Sequence, residues 1–502
     1  MPDSYDAGMN TKKSSLRVAV IGAGFSGIGA AIRLRSIGVE HITIFEKASD
    51  VGGTWRDNTY PGAACDVQSH LYSLSFELNP RWTRRFPAQP EIQAYLKAVF
   101  AKHNLVRITR FDTEITELRY DEQTYSWSVS CNGVEPESFD VIVNSSGVLS
   151  RPAMPTIEGL DQFNGISFHS ARWRHDVELS GKNIAVIGTG ASAIQFVPEI
   201  AQLAASVTVF QRTAPWVVPR DDAPFTQGQQ RRFARFPWWA RLNRWGIYLR
   251  NEMLALAFVG PNAAKGTSKI ARQISDGGKQ FIAACISDPV LRAKVTPTFA
   301  PGCKRLLISN DYYPALTRPN VDVVTTPIER AAAHALVTSD GQEHPADVIV
   351  FGTGFKATEF IVPMKIFGVG GVELSDEWSR GARTHLGISV SGFPNMYTLL
   401  GPNTALGHNS VVFMVECQLH FIMGAVKHMM LSGARSLDLR SEVEQASYSA
   451  VQGRMHKTVW LSGCQSWYRS PDGRIDTLWP GSTISYWWRT RFFKPKNFNA
   501  ER

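Results

Sequence analysis

Short apolar runs that stop on glycine give the chain its rhythm. Residues 17–24 read Arg-Val-Ala-Val-Ile-Gly-Ala-Gly, and residues 183–190 return the pattern as Asn-Ile-Ala-Val-Ile-Gly-Thr-Gly. A second pair follows, Asp-Val-Ile-Val-Asn-Ser-Ser-Gly at 140–147 and Asp-Val-Ile-Val-Phe-Gly-Thr-Gly at 347–354. Apolar side chains at successive rather than alternate positions belong to strands buried on both faces, the condition in a parallel sheet covered by helices. The repeat therefore predicts an α/β chain with two such sheets. Glycine at each strand end leaves bare backbone where a ligand can approach closely.

From about residue 215 to 298 the pattern changes to longer helical periodicity, rich in aromatic residues and arginine, as in Phe-Ala-Arg-Phe-Pro-Trp-Trp-Ala-Arg at 233–241. This predicts a helical insertion in the second unit. Pro152 and Pro155 bound a crossover between the units. The expected division is residues 1–150 as the first part of one nucleotide-binding domain, 151–214 with 299–340 as the other, 215–298 as the helical insertion, and 341–502 as the remainder of the first domain with a C-terminal segment. The stretch after Gly354 is expected to carry the chain back to the first domain.

Each repeat opens a dinucleotide fingerprint. In the first, Gly22-x-Gly24-x-x-Gly27 follows a strand and precedes a helix, and the next strand ends at Glu46, nineteen residues after Gly27. Glycines allow the tight turn and the approach of a pyrophosphate to the helix N-terminus, and a carboxylate at that distance accepts from ribose hydroxyls. The second reads Gly188-x-Gly190-x-x-Ala193, but its second strand ends in Gln211-Arg212-Thr213. An acid there would repel a 2′-phosphate, whereas an arginine binds one bidentately, so this unit is expected to prefer NADPH to NADH. The chain thus reads as α/β with two Rossmann-like dinucleotide-binding domains.

Several classes are excluded. The longest apolar stretch, residues 246–260, is broken by Arg250 and Glu252, so no spanning helix is expected. Residues 1–15 are polar, with Lys12 and Lys13, and lack the apolar core of an export signal, which predicts a cytoplasmic protein. Six scattered cysteines include no C-x-x-C pair, against both a redox dithiol and a zinc site. The net charge of +9 is spread along the chain without a nucleic-acid motif, so no nucleic-acid partner is expected, and an anionic cofactor is a sufficient use for part of it.

Two further patterns bring in a family. Phe163-x-Gly165-x-x-x-His169-x-x-x-Trp173 lies between the fingerprints, and Gly52-Gly53-x-Trp55-x-x-x-x-Tyr60-Pro61-Gly62-x-x-x-Asp66 follows the first. Together they resemble the class B flavoprotein monooxygenases, and within them the type I Baeyer-Villiger monooxygenases. The resemblance runs through Gly401-Pro402-Asn403 to the C-terminal segment, with one departure: Arg174 stands where that pattern usually has Pro or Asp. It implies FAD at the first fingerprint and NADPH at the second, with Lys304 joining Arg212 and Thr213 on the 2′-phosphate, and counts Gly53, Trp55, Asp66 and Asn403 among the cofactor-binding residues. It also implies that Arg305 enters the active site, tuned by Asp66, and that Trp467 closes over nicotinamide and substrate.

From the residues alone His169 is open to a structural or an acid-base role; the resemblance implies a conformational one, in a linker that senses domain rotation. The implied reaction takes a ketone or aldehyde and O2 to an ester or lactone through a C4a-peroxyflavin and a tetrahedral peroxide adduct. An alternative keeps the same cofactors for N- or S-oxygenation, and a third is a non-oxygenating NADPH oxidase. The substrate pocket is expected to draw on the insertion, the segment after Asn403 and the Trp467 region. The C-terminal Trp487-Trp488-Arg489-Thr490-Arg491-Phe492-Phe493 reads as a segment packed on the body, against the other reading of a membrane-interface patch.

Overall fold

The computed structural model describes residues 14–260, 262–464, 466, 468–470 and 472–502. The two glycine-ended repeats become the central strands of two five-stranded parallel sheets. In the first, Ser14–Ile21 lies between Val141–Asn144 and Val39–Phe45, with Met396–Thr398 and Thr109–Arg110 at the edges. In the second, Asn183–Ile187 lies between Ser206–Phe210 and Val348–Phe351, with Val321–Val324 and Ile166–His169 at the edges. The second sequence pair is thus repeated in position as well as in letters, each member flanking a central strand.

The same steric contact fixes both turns. Gly22 has φ +101° and Gly188 φ +106°, and a Cβ on either would strike a backbone oxygen just past the neighbouring strand: Ser145 O at 2.8 Å in one unit, Gly352 O at 2.5 Å in the other. The third position differs. A Cβ on Gly27 would lie 1.8 Å from Gly22 O, so the helix Phe25–Ser36 can pack there only on glycine. In the second unit Ala193 is accommodated because Gly352 beneath it carries no side chain; even a Cβ at Gly352 would come to 3.2 Å of the alanine methyl.

Apolar layers cover each sheet. Helices Phe25–Ser36 and Val411–Ser432 pack together over one face of the first, while the antiparallel strands Ile115–Asp121 and Ser126–Cys131 bring Trp127 and Tyr120 to the other. Helices Ala193–Ile200 and Tyr312–Leu316 cover the second sheet. The insertion follows the short strand Val217–Val218, which pairs in parallel with Leu307–Ile308, and holds helices Gln227–Arg235, Pro237–Phe258, Lys269–Cys285 and Pro289–Val295. Among the described residues no helix is long and apolar enough to cross a membrane.

The boundary expected at 341 requires correction. Strands Glu343–Pro345 and Val348–Phe351 both belong to the second unit, and the latter supplies the strand against which the Gly188 turn packs. The chain leaves that unit only after Gly354, where the two crossovers run side by side: Ala153 N donates to Gly354 O at 2.9 Å and Lys356 N to Arg151 O at 3.0 Å.

The Gly27 contact can be tested. Gly27→Ala is expected to destabilise the protein by about 3 kcal/mol in urea unfolding, since backbone must move to admit the methyl. Gly228→Ala, whose methyl would meet nothing nearer than Thr226 Oγ1 at 3.8 Å on the exposed helix Gln227–Arg235, is expected to be neutral or slightly stabilising.

Candidate active site

Glu46 stands at the end of its strand, 4% exposed, and is held from three sides. Its Oε2 accepts from Ala23 N at 2.8 Å, and its Oε1 from Ala48 N at 3.0 Å and Arg56 Nη1 at 2.8 Å. The bond to Ala23 N locks the carboxylate to the first glycine turn. Burial works against the Arg56 charge, but its bonds and charge contacts with Asp57 and Glu46 outweigh this and hold its pKa above the usual arginine value. Arg56 was not among the expected site residues; its signal was its place directly after Trp55 in the Gly52–Asp66 pattern.

Across from Gly24 lies Gly53, at φ +54°, and a Cβ on Gly53 would come within 3.3 Å of Gly24 Cα. Bare backbone therefore faces bare backbone. Gly52 N donates to Ala23 O at 3.0 Å, and Gln93 Nε2 donates to Val51 O at 2.7 Å, which clamps this loop on the turn. Trp55 donates through Nε1 to Tyr72 OH at 3.0 Å and meets that ring edge-on, while its carbonyl accepts from Gln89 Nε2.

The second cradle has the opposite charge. Arg212 is exposed at the strand end that corresponds to Glu46, and half-buried Lys304 approaches it from the loop after the insertion. Desolvation lowers the Lys304 pKa, and the neighbouring Arg212 charge lowers it further. Lys304 Nζ lies 5.1 Å over the Phe299 ring. Among the described residues neither cation forms an ion pair. Two like charges gathered without a carboxylate are the electrostatic outline of an anion site. Thr213 is next to them, its carbonyl accepting from Thr189 Oγ1 at 3.4 Å.

The pattern from Gly52 to Asp66 bridges the two cradles. It starts at the Gly24 turn and then crosses to the helix Ala193–Ile200, where Gln195 accepts from Tyr60 OH at 2.9 Å and donates to Ala64 O at 3.0 Å. Gly62, at φ +76°, passes so close that a Cβ would sit 2.6 Å from Gln195 O. The pattern ends at Asp66, whose Oδ2 accepts from Arg305 Nε at 2.9 Å and Nη2 at 2.5 Å. Asp66 raises the Arg305 pKa, and the Arg305 side chain remains 34% exposed. Tyr468 interacts with the same guanidinium.

Cys303, next to Lys304 and Arg305, is disulfide-bonded to Cys464, 161 residues on. This pairing ties the cationic loop to the C-terminal segment, and cysteine spacing gave no sign of it. Trp467, expected to close over the site, lies outside the described residues. Asn403, at φ +57°, donates through Nδ2 to Ile475 O at 2.9 Å and Leu478 O at 3.1 Å, so its amide hydrogens hold the C-terminal segment and only its acceptor side is left for a ligand.

The segment from Phe163 to Trp173 forms packing contacts rather than a polar site. Phe163 packs under the second sheet, and a Cβ on Gly165 would meet Asp347 O at 2.4 Å. His169 ends the edge strand, 4% exposed, and its Nδ1 accepts from Ala171 N at 3.1 Å, which leaves the proton of the neutral ring on Nε2. Burial lowers its pKa. Its ring lies 5.8 Å from that of Phe355, at the crossover. Trp173 packs on Phe168 and Phe196, and Phe196 touches Tyr60 of the bridging loop. Arg174 points to solvent and pairs with Asp176 at 2.5 Å, so the departure at this position touches nothing in the site.

A family model described as flavin-binding monooxygenase-like matches residues 15–236. A Baeyer-Villiger monooxygenase of Pseudomonas aeruginosa is 46% identical over 478 residues, covering 95% of this chain and 89% of that protein. Among solved structures, an oxidized steroid monooxygenase bound to NADP aligns with TM-score 0.82 and 30% identity over 95% of this chain and 96% of its own. The OTEMO complex with FAD and NADP aligns with TM-score 0.84 and 26% identity over 98% of this chain and 100% of its own.

The Glu46–Arg56 pair gives a stability test. Arg56→Met leaves the buried carboxylate short of one donor and is expected to cost about 1–3 kcal/mol in urea unfolding. The double variant Glu46→Gln/Arg56→Met should recover part of that loss, because the uncompensated charge is gone.

Proposed function

The chain belongs to the Baeyer-Villiger monooxygenase family, and on that premise we propose that it uses FAD, NADPH and O2 to convert a ketone or aldehyde into an ester or lactone. The observation that carries this reading is the Arg305–Asp66 pair. It sets a permanent positive charge at the junction of two nucleotide cradles of opposite polarity.

The residues fit the cofactors. At the first turn the facing backbones of Gly24 and Gly53 admit a pyrophosphate without a side chain in the way, and Glu46 is a fixed acceptor for ribose hydroxyls. At the second, Arg212 and Lys304, which form no ion pair among the described residues, make a cationic pair suited to a 2′-phosphate, and Thr213 lies beside them. When bound, the reduced flavin supplies the O2 activation that delivers one oxygen atom next to the substrate carbonyl.

Arg305 acts by charge. With Asp66 raising its pKa, it does not release a proton in the working range, which rules it out as a general acid. It offers a preorganised cation to the negative charge that develops on the carbonyl oxygen under attack. Asp66 aims the guanidinium by two bonds to one oxygen, so it is a positioning residue for Arg305. The disulfide-tethered loop and Tyr468 stand on this side of Arg305. His169 serves the conformational role: buried, with Nδ1 committed to Ala171 N–H and its ring beside the crossover at Phe355, it is better placed to register rotation of one unit against the other than to exchange protons.

The reading is tested by mass spectrometry of products from a panel of ketones, sulfides and amines with NADPH and O2; an ester or lactone is the expected result, and sulfoxides or N-oxides alone would replace it. Arg305→Ala is expected to keep bound FAD but lower ester formation by about 100-fold or more. For Arg212→Ala the KM for NADPH should rise by about 10-fold or more, with little change for NADH; equal changes for both would remove the 2′-phosphate from that position.

A further inference from the structure

The insertion helix Pro237–Phe258 is amphipathic in the inverse sense. Its packed face carries Arg244, Tyr248 and Glu252. Arg244, 8% exposed, donates through Nη1 to the carbonyls of His70, Leu71 and Ser73 at 3.0, 2.9 and 2.8 Å. Tyr248 OH lies 2.8 Å from Thr483 Oγ1. Glu252 accepts from Thr483 Oγ1 at 2.5 Å, Asn409 Nδ2 at 2.9 Å and Ile484 N at 3.3 Å. These bonds fix the helix rotation, so the identity of its outer face is not a matter of register.

That outer face is apolar. Trp238, Leu242, Trp245, Leu249, Met253 and Leu256 are 42–65% exposed, Leu256 the most and Trp245 the least. They recur at intervals of three or four, which at 100° per residue gathers them into a stripe about 80° wide along the whole helix. A contiguous apolar stripe of this length is uncommon on an isolated soluble protein and marks a surface that is covered in use. A second stripe adjoins it: Ile484, whose N–H bonds Glu252, is followed by Trp488 and Phe492, each about half-exposed or more.

The exposed charges on the stretch that carries the stripe have one sign. Residues 223–251 contain six arginines and no aspartate or glutamate. Arg244 is inside; Arg231, Arg232, Arg235, Arg241 and Arg250 are exposed. Arg232 stacks on Trp239 at 5.8 Å and Arg235 on Phe236 at 5.7 Å, and beside the second stripe Arg491 stacks on Trp487 at 4.6 Å. A second copy of this chain is a poor occupant, because the arginines of the 223–251 stretch would meet arginines with no carboxylate on that stretch to pair them.

We propose that this face docks on an anionic phospholipid bilayer. The helix Pro237–Phe258 lies in the interfacial plane with its Trp, Leu and Met side chains at the headgroup–acyl boundary and its exposed arginines among the phosphates. Tryptophan favours that boundary and arginine the anionic headgroup. The helix does not cross, since its other face is bonded to the protein body through Arg244 and Glu252.

The experiment is vesicle co-sedimentation of the FAD-loaded full-length enzyme. Vesicles of phosphatidylcholine with about one third phosphatidylglycerol should carry the protein down, pure phosphatidylcholine should do so at least about tenfold less well, and added salt should weaken the binding. Leu249→Gln/Met253→Gln, both outside the cofactor and Arg305 sites, should reduce binding about tenfold or more with unchanged NADPH oxidation. Arg235→Glu/Arg241→Glu should abolish the preference for phosphatidylglycerol. Equal sedimentation of wild type and Leu249→Gln/Met253→Gln, or no sedimentation with either vesicle, would overturn the proposal. So would a solution dimer by light scattering that this same variant dissociates, for the stripe would then join two copies.

Discussion

Two nucleotide units become one site because a single loop cannot leave either of them. From Gly52 to Asp66 it is clamped at its start on the Gly24 turn, at its middle on Gln195 of the second unit, and at its end on Arg305. Each clamp is hydrogen-bonded and sterically close, and the closest contacts occur at glycines where a Cβ would collide. The Arg305–Asp66 pair closes this chain of contacts and crosses between the units. Being about one-third exposed on the arginine side, it adds little to stability by itself. Its value is geometric, since it determines where a fixed charge stands relative to both cradles.

The cradles are alike in backbone and opposite in charge. In both, a glycine with positive φ turns over a neighbouring backbone carbonyl, so the turn is set by excluded volume and tolerates no change. One strand further, the constraint relaxes. There the first unit has a buried carboxylate locked to the turn, and the second has an exposed arginine joined by a lysine from a distant loop. Backbone sterics preserve the means of approaching a pyrophosphate, and the strand-end residue selects what surrounds it.

This division also explains what could be read from the chain. Each glycine turn and its own strand-end residue, Glu46 in one unit and Arg212 in the other, are encoded within about 30 residues, the span of one βαβ unit, and were legible. The Gly52–Asp66 pattern was legible through the family resemblance rather than through local turns, since its glycines meet remote backbone, Gly53 at Gly24 and Gly62 at Gln195. The 341 boundary was misjudged because Val348–Phe351 has the same continuous apolar character in either sheet, and only pairing shows which one it joins. Gln195, Arg56 and the Cys303–Cys464 bond act through partners that are remote in sequence or defined only by folding. The insertion helix is the most instructive case. Periodicity assigns an apolar stripe to the inside, yet here three backbone carbonyls and a polar network hold Arg244, Tyr248 and Glu252 inside instead.

That inverted helix is mechanically joined to the active site. Asn409, which bonds Glu252, lies six residues beyond Asn403, which holds the carbonyls of Ile475 and Leu478. The same C-terminal stretch contains Tyr468 against Arg305 and is tethered at Cys464 to the loop of Lys304. Buried polar groups resist separation because any one left unpaired carries a desolvation cost of about 1–3 kcal/mol. The exposed apolar face of the insertion helix and the charge at the centre of the site are thus joined by stretches of backbone, residues 403–409 and the C-terminal segment, that are held at each end by buried hydrogen bonds.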